Sequence, residues 1–184
     1  MKVRIIGGSG SGKSTLAQAL GERHGVPVCD LDRLQWGGAY GQRRPKAERA
    51  ALLREVLSQE NWIIEGVYYA WTAETFAQAD EIVVAAPYWD LSFPSILKVY
   101  LEHVCVTGIT FHYVDNETQG LCKAKKAVYI STAGGFVGAH HMGEEYVETV
   151  FRTMFSIPEF HTIRCEGLDL PDADPEALVA EAAL

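Results

Sequence analysis

Positive charge is scarce in this chain: 16 lysines and arginines stand against 24 aspartates and glutamates, for a formal net charge of -8. Neutralising nucleic-acid phosphates takes clustered basic residues, so no nucleic-acid partner is expected. Cysteine is sparse as well. Cys29, Cys105, Cys122 and Cys165 lie far apart with no C-x-x-C spacing, which signals neither a zinc site nor a disulfide framework, and they read as reduced thiols. His103, His112 and His161 have no partners at metal-ligand spacing. No apolar run reaches membrane-spanning length, and no charged segment followed by a long apolar core opens the chain, so a cytoplasmic location without a membrane partner is expected. Internal repeats and low-complexity linkers are missing too. At 184 residues and 48% hydrophobic, the chain can bury a full core, and a single domain over residues 1–184 is expected.

What is present begins with glycine. Gly7, Gly8, Ser9, Gly10, Ser11, Gly12, Lys13 and Ser14 fit the pattern G-x-x-x-x-G-K-[ST], between the apolar run 2–6 and a helical pattern from Thr15 to Arg23. Strand, glycine-rich loop and helix start are the context this motif needs, because the loop's N–H groups and the helix N-terminus converge on one phosphate. Lys13 can reach outer phosphates, and Ser14 can offer a hydroxyl to Mg²⁺. Thr15 completes the candidate site.

Further along, Val26 to Asp32 reads as a short second strand delivering Asp30 and Asp32 towards that loop. Asp32 is the candidate to join Ser14 on Mg²⁺ if a nucleoside triphosphate binds; the alternative is that one aspartate caps a helix and the other is solvated. A loop over 37–45 precedes a helix over 46–58. Residues 62–66 and 81–86 read as buried strands around a helix over 72–79, and later strands are expected over 126–131 and 161–165. The acidic tail, 169–181, reads as a solvated C-terminal helix. The rhythm is that of an α/β fold, a three-layer α/β/α domain with a parallel sheet of about six strands in the order 2-3-1-4-5-6. A ligand is expected at the carboxyl ends of strands 1 and 4.

Two resemblances follow from particular motifs. Over residues 1–80, the phosphate loop with 31–36 and 61–68 resembles the small P-loop kinases, in particular the adenylate-kinase-like topology-modulation proteins, which implies ATP with Mg²⁺. Such kinases surround the transferred phosphate with lid arginines, whereas only Arg152 and Arg164 follow residue 54 here. Over 81–184, the segments 86–98, 107–113, 120–127, 131–135 and 166–169 resemble the flavodoxin-like NAD(P)H oxidoreductases that include FMN-dependent azo and quinone reductases. That resemblance implies FMN and NAD(P)H, with Pro87, Tyr88, Trp89, Asp90 and Leu91 wrapping the flavin ring and Ser131, Thr132, Ala133, Gly134 and Gly135 at its polar edge. It also implies a homodimer. The family's serine-rich phosphate loop after the first strand is replaced by the kinase-type loop. His140 and His141, in a glycine-flanked loop, read as solvated or as lining a nicotinamide pocket.

Three readings stay open: an FMN-dependent NAD(P)H oxidoreductase whose flavin phosphate sits on the loop, an ATP-dependent kinase or NTPase, and a phosphate-binding scaffold without turnover. Only the first uses both halves. The sequence names no catalytic residue.

Overall fold

Strand β1 (Lys2–Gly7) is buried from Val3 onward and runs straight into the glycine loop, after which α1 (Lys13–His24) begins. Gly12 and Gly25 bracket that helix in the left-handed conformation, and the Gly25 N–H closes it on the Gly21 carbonyl. The computed structural model describes residues 1–38 and 41–182; Ala39 and Tyr40 of the expected loop and the terminal Ala183 and Leu184 lie outside the described residues.

The second strand is shorter than expected. β2 covers only Val28–Asp30, and Leu31–Gln35 forms a short helix, α2. The physical reason is the cap: the Asp30 carboxylate accepts the Asp32 N–H at 2.8 Å, which turns the chain out of extended geometry. Helix α3 (Lys46–Leu57), strand β3 (Trp62–Glu65), helix α4 (Ala73–Gln78) and strand β4 (Glu81–Pro87) follow as the periodicity indicates. After β4 come α5 (Ser95–Val104), a hairpin of β5 (Phe111–Val114) and β6 (Glu117–Gly120), then β7 (Lys126–Thr132), α6 (Met142–Phe155), β8 (Glu159–Cys165) and α7 (Pro175–Ala182).

The main sheet has six strands ordered β2-β3-β1-β4-β7-β8, and every pairing in it is parallel. This is the expected order, with β7 and β8 as its fifth and sixth strands. Alternation along β1 separates two apolar layers. Val3 and Ile5 pack with Ala17 of α1, whereas Ile6 joins the larger cluster with Phe76, Leu97, Tyr100, Phe151 and Phe155. No helix among the described residues is long and apolar enough to cross a membrane.

The hairpin was not anticipated. Its corner, Asp115 and Asn116, has φ values of 51° and 66°, the double left-handed geometry of a tight type I′ turn. It docks backbone to backbone on the end of α6: the Gly120 N–H donates to Ser156 Oγ at 2.9 Å, and a Cβ at Gly120 would lie 2.2 Å from the Phe155 carbonyl carbon. Only glycine fits there.

Candidate functional site

At the carboxyl end of β1 the chain reverses tightly. A Cβ at Gly7 would lie 2.3 Å from Ser11 Oγ and 2.7 Å from the Ala85 carbonyl oxygen, so the loop can fold back over the strand end only with glycine there. Gly10 and Gly12 adopt φ of 78° and 75°, left-handed backbone that lets the loop turn tightly into α1, and the Ser11 N–H donates to the Gly8 carbonyl at 3.3 Å within that turn. Lys13 opens the helix, and among the described residues it makes no ion pair.

The polar partners around this loop differ from the sequence pairing of Ser14 with Asp32. Ser14 Oγ donates to Glu65 Oε1 at 2.8 Å, while the Asp32 carboxylate accepts the Tyr68 hydroxyl at 2.6 Å. Burial, with the hydrogen bond to Asp32 second, pushes the Tyr68 phenol up to about 12. Glu65 was read only as the end of a buried strand. It is 4% exposed, and its second oxygen is buried without a protein partner, as is Ser11 Oγ. The signal that could have found it is a carboxylate directly after Ile63 and Ile64, where an inward-facing apolar residue is the usual choice.

The second candidate segment starts where β4 ends. The Tyr88 N–H donates to the Thr132 carbonyl at 2.7 Å, and the Tyr88 hydroxyl donates to the His140 carbonyl at 3.0 Å, tying the β4 loop to the loop after β7. Trp89 and Ser92 exchange two backbone hydrogen bonds across Asp90 and Leu91, both in left-handed geometry with φ of 49° and 68°. That turn projects Trp89 and Leu91 outward, 59% and 51% exposed. Ser131 and Thr132 close β7 beside Ala86 and Pro87 of β4. Gly134 is crowded, with a Cβ there falling 2.2 Å from an Asp169 carboxylate oxygen, whereas Gly135 faces open space and its carbonyl accepts from the Gly167 N–H.

Between the two segments lies a cavity of about 270 Å³. Gly7, Gly8 and Ser9 of the glycine loop form one side, Ala86, Pro87 and Pro94 another, and Val67, Tyr69, Ile96 and Tyr100 complete an apolar wall. It sits at the carboxyl ends of β1 and β4, the crevice the strand order indicates. Of the expected site residues, Gly7, Gly8, Ser9 and Pro87 line it; Gly10 to Thr15, Tyr88 to Leu91, Ser131 to Gly135, His140 and His141 do not. The thiols are chemically quiet: burial pushes Cys29 and Cys105 up to about 11 and Cys122 to about 12, so each stays protonated at neutral pH.

Comparison with known proteins gives these elements a context. A family model described as the flavodoxin-like fold matches residues 8–184. The FMN-dependent NADH:quinone oxidoreductase 2 of Clostridium acetobutylicum is 45% identical over 112 residues, covering 58% of this chain and 56% of that protein. An FMN-dependent NADH:quinone oxidoreductase of Clostridium perfringens strain ATCC 13124 is 40% identical over 126 residues, covering 67% and 60%. The chain thus spans little more than half the length of these relatives. Among solved structures, the azoreductase from Bacillus anthracis strain Sterne aligns with a TM-score of 0.61 at 21% identity over 99% of this chain and 94% of that one. The FMN-dependent NADH-azoreductase from Bacillus anthracis strain Ames Ancestor, solved in complex with FMN, aligns at 0.53 and 14% over 98% and 93%. These matches carry the reductase resemblance. They give the P-loop kinase resemblance of the first half no support, nor ATP with Mg²⁺. One topological difference is visible: β1-β4-β7-β8 follow the 1-3-4-5 run of a flavodoxin-like sheet, but two strands, β3 then β2, stand where that fold has one.

Proposed function

The chain belongs to the flavodoxin-like fold family, and from that premise we propose that it is an FMN-dependent NADH:quinone oxidoreductase of the azoreductase type, with the flavin phosphate held on Gly7 to Thr15. The observation that carries this reading is a cavity bounded on one side by Gly7, Gly8 and Ser9 and on another by Pro87 and Pro94. Its apolar wall of Pro87, Pro94, Ile96, Tyr69 and Tyr100 suits a flat ring system, and the left-handed glycines beside it suit a phosphate. Ser14 donates its hydroxyl proton to Glu65, so the loop N–H groups and Lys13 are the phosphate donors. Pro87 to Leu91 would flank the ring, and Ser131 to Gly135 would offer backbone groups from the neighbouring strand end. When bound, FMN supplies the two-electron chemistry between NADH and a quinone or azo acceptor. The protein's part is to orient both partners and exclude water.

The purified protein is expected to bind FMN with quenching of flavin fluorescence and then to oxidise NADH only in the presence of a quinone such as menadione. Absence of FMN binding at micromolar concentration would end the proposal. A second copy of the chain is proposed to cover the exposed apolar side chains of Trp89, Leu91, Ile96 and Met142. Sedimentation equilibrium should then report a dimer, and a monomer at every concentration tested would remove that part of the reading.

A further inference from the structure

One strip of chain beside the cavity is held far less firmly than its two ends. Where the chain leaves β3, Gly66 is fixed at both backbone groups: its N–H donates to the Ile5 carbonyl at 3.3 Å, and its carbonyl accepts from the buried Arg4 at 2.8 Å. At the other end Thr72, immediately before α4, is fully buried. Between these anchors, residues 67–71 form neither helix nor strand, and among the described residues none of their N–H groups donates to another backbone group. A segment built this way opens locally at low cost.

Its side chains divide between two faces. Val67 and Tyr69 line the cavity, yet they are 45% and 37% exposed, so they stand between its interior and solvent. Tyr68 does not line it and reaches α2 instead, where its hydroxyl donates to the Asp32 carboxylate at 2.6 Å. The Tyr68 carbonyl accepts from the hydroxyl of Thr72 and, at 3.5 Å, from that of Tyr100. Tyr69 lies flat on the His103 imidazole at the end of α5, with 4.0 Å between ring centres and 9° between planes. It also borders a second hollow, of about 410 Å³, shared with Trp71, Glu74 and His103, which gives its ring room to swing away from the cavity.

We propose that residues 67–71 form a gate over the cavity, with Tyr68 as its positioning residue and Asp32 as the catch that holds it shut. Asp32, expected from the sequence beside Mg²⁺, is thereby assigned to the strap. The ligand that passes the gate rests on the flavin reading, whereas the gate itself does not. A catch that holds the strap equally in the free and the occupied protein leaves a kinetic signature. Losing it raises the association and dissociation rates together and leaves the affinity nearly unchanged. A side chain that only completes the wall would, when lost, raise dissociation alone.

Two measurements on the full chain test this. In the apoprotein, native-state cleavage by chymotrypsin after the aromatic residues at 68, 69 and 71 reports how often the strap opens. It is expected to be about threefold to tenfold faster in Tyr68→Phe and in Asp32→Ala than in the wild type, the factor that one hydrogen bond contributes, and no faster in the double variant. Stopped-flow fluorescence with FMN should then show association and dissociation accelerated by that same factor in each variant, with a dissociation constant unchanged to within about twofold. Where Asp32→Ala does not fold, Tyr68→Phe decides. Unchanged cleavage in the variants that fold, or a rise in FMN dissociation without a matching rise in association, would overturn the proposal. A protein that binds no FMN yet shows the faster cleavage would sink the flavin reading and leave the gate standing.

Discussion

Lys13→Ala is expected to raise the dissociation constant for FMN by about one to two orders of magnitude while leaving riboflavin binding unchanged. The lysine follows the left-handed Gly12 at the first position of α1, where its ammonium and the helix N-terminus would act together on the proposed flavin phosphate. A charge-assisted hydrogen bond of this kind contributes roughly 1.5 to 3 kcal/mol, which sets the size of the loss. Riboflavin lacks the phosphate and so reports only on the ring contacts. Fluorescence titration of both flavins into wild type and variant measures the difference directly. If FMN binds both proteins equally, the flavin phosphate lies elsewhere, and the combined site is wrong.

The larger effect on stability is expected at Phe151. Its ring is fully buried where α6 meets the sheet, edge-on to Phe155 at 5.2 Å and to Phe160 of β8 at 6.3 Å between ring centres. Phe151→Ala removes those contacts and leaves a cavity in the fully buried layer between α6 and the sheet. Such truncations cost about 3 to 5 kcal/mol, and in a domain of this size that lowers the melting temperature by roughly 6 to 20 °C. Calorimetry on the apoprotein would measure it. A shift of only a degree or two would mean that α6 is not seated on the core as described.

Much of the sheet was legible because its strands are buried on both faces and read as continuous apolar runs, as in Ile82 to Ala86, while the glycine loop fixed which strand came first. The crevice followed from that order. What escaped was governed by contacts between residues distant in sequence. Glu65 lies 51 residues from Ser14, and only the pairing of Ile5 with Glu65 in the β1–β3 register brings them together. Arg4 sits inside an apolar run, and nothing nearby tells that its guanidinium will face Tyr100, 96 residues away. The β5–β6 hairpin was missed for a local reason. Its turn uses Asp115 and Asn116 without the glycine that usually marks such corners, and Glu117, Thr118 and Gln119 carry no apolar alternation. The shortened β2 shows local chemistry prevailing over pattern, since the Asp30 cap ends the strand where hydrophobicity alone would extend it.

The position of β1 between β3 and β4 also shapes how the chain is made. Its neighbours, Trp62–Glu65 and Glu81–Pro87, are translated some 60 to 80 residues later. At ribosomal speeds of about 5 to 20 residues per second, that leaves the strand without either partner for roughly 3 to 12 seconds. During this interval its apolar residues and open backbone edges can be shielded only by α1 or by a chaperone. Nascent-chain proteolysis should therefore find β1 protected only after β3 has cleared the ribosome, so that the glycine loop at its end takes its shape later than its own synthesis.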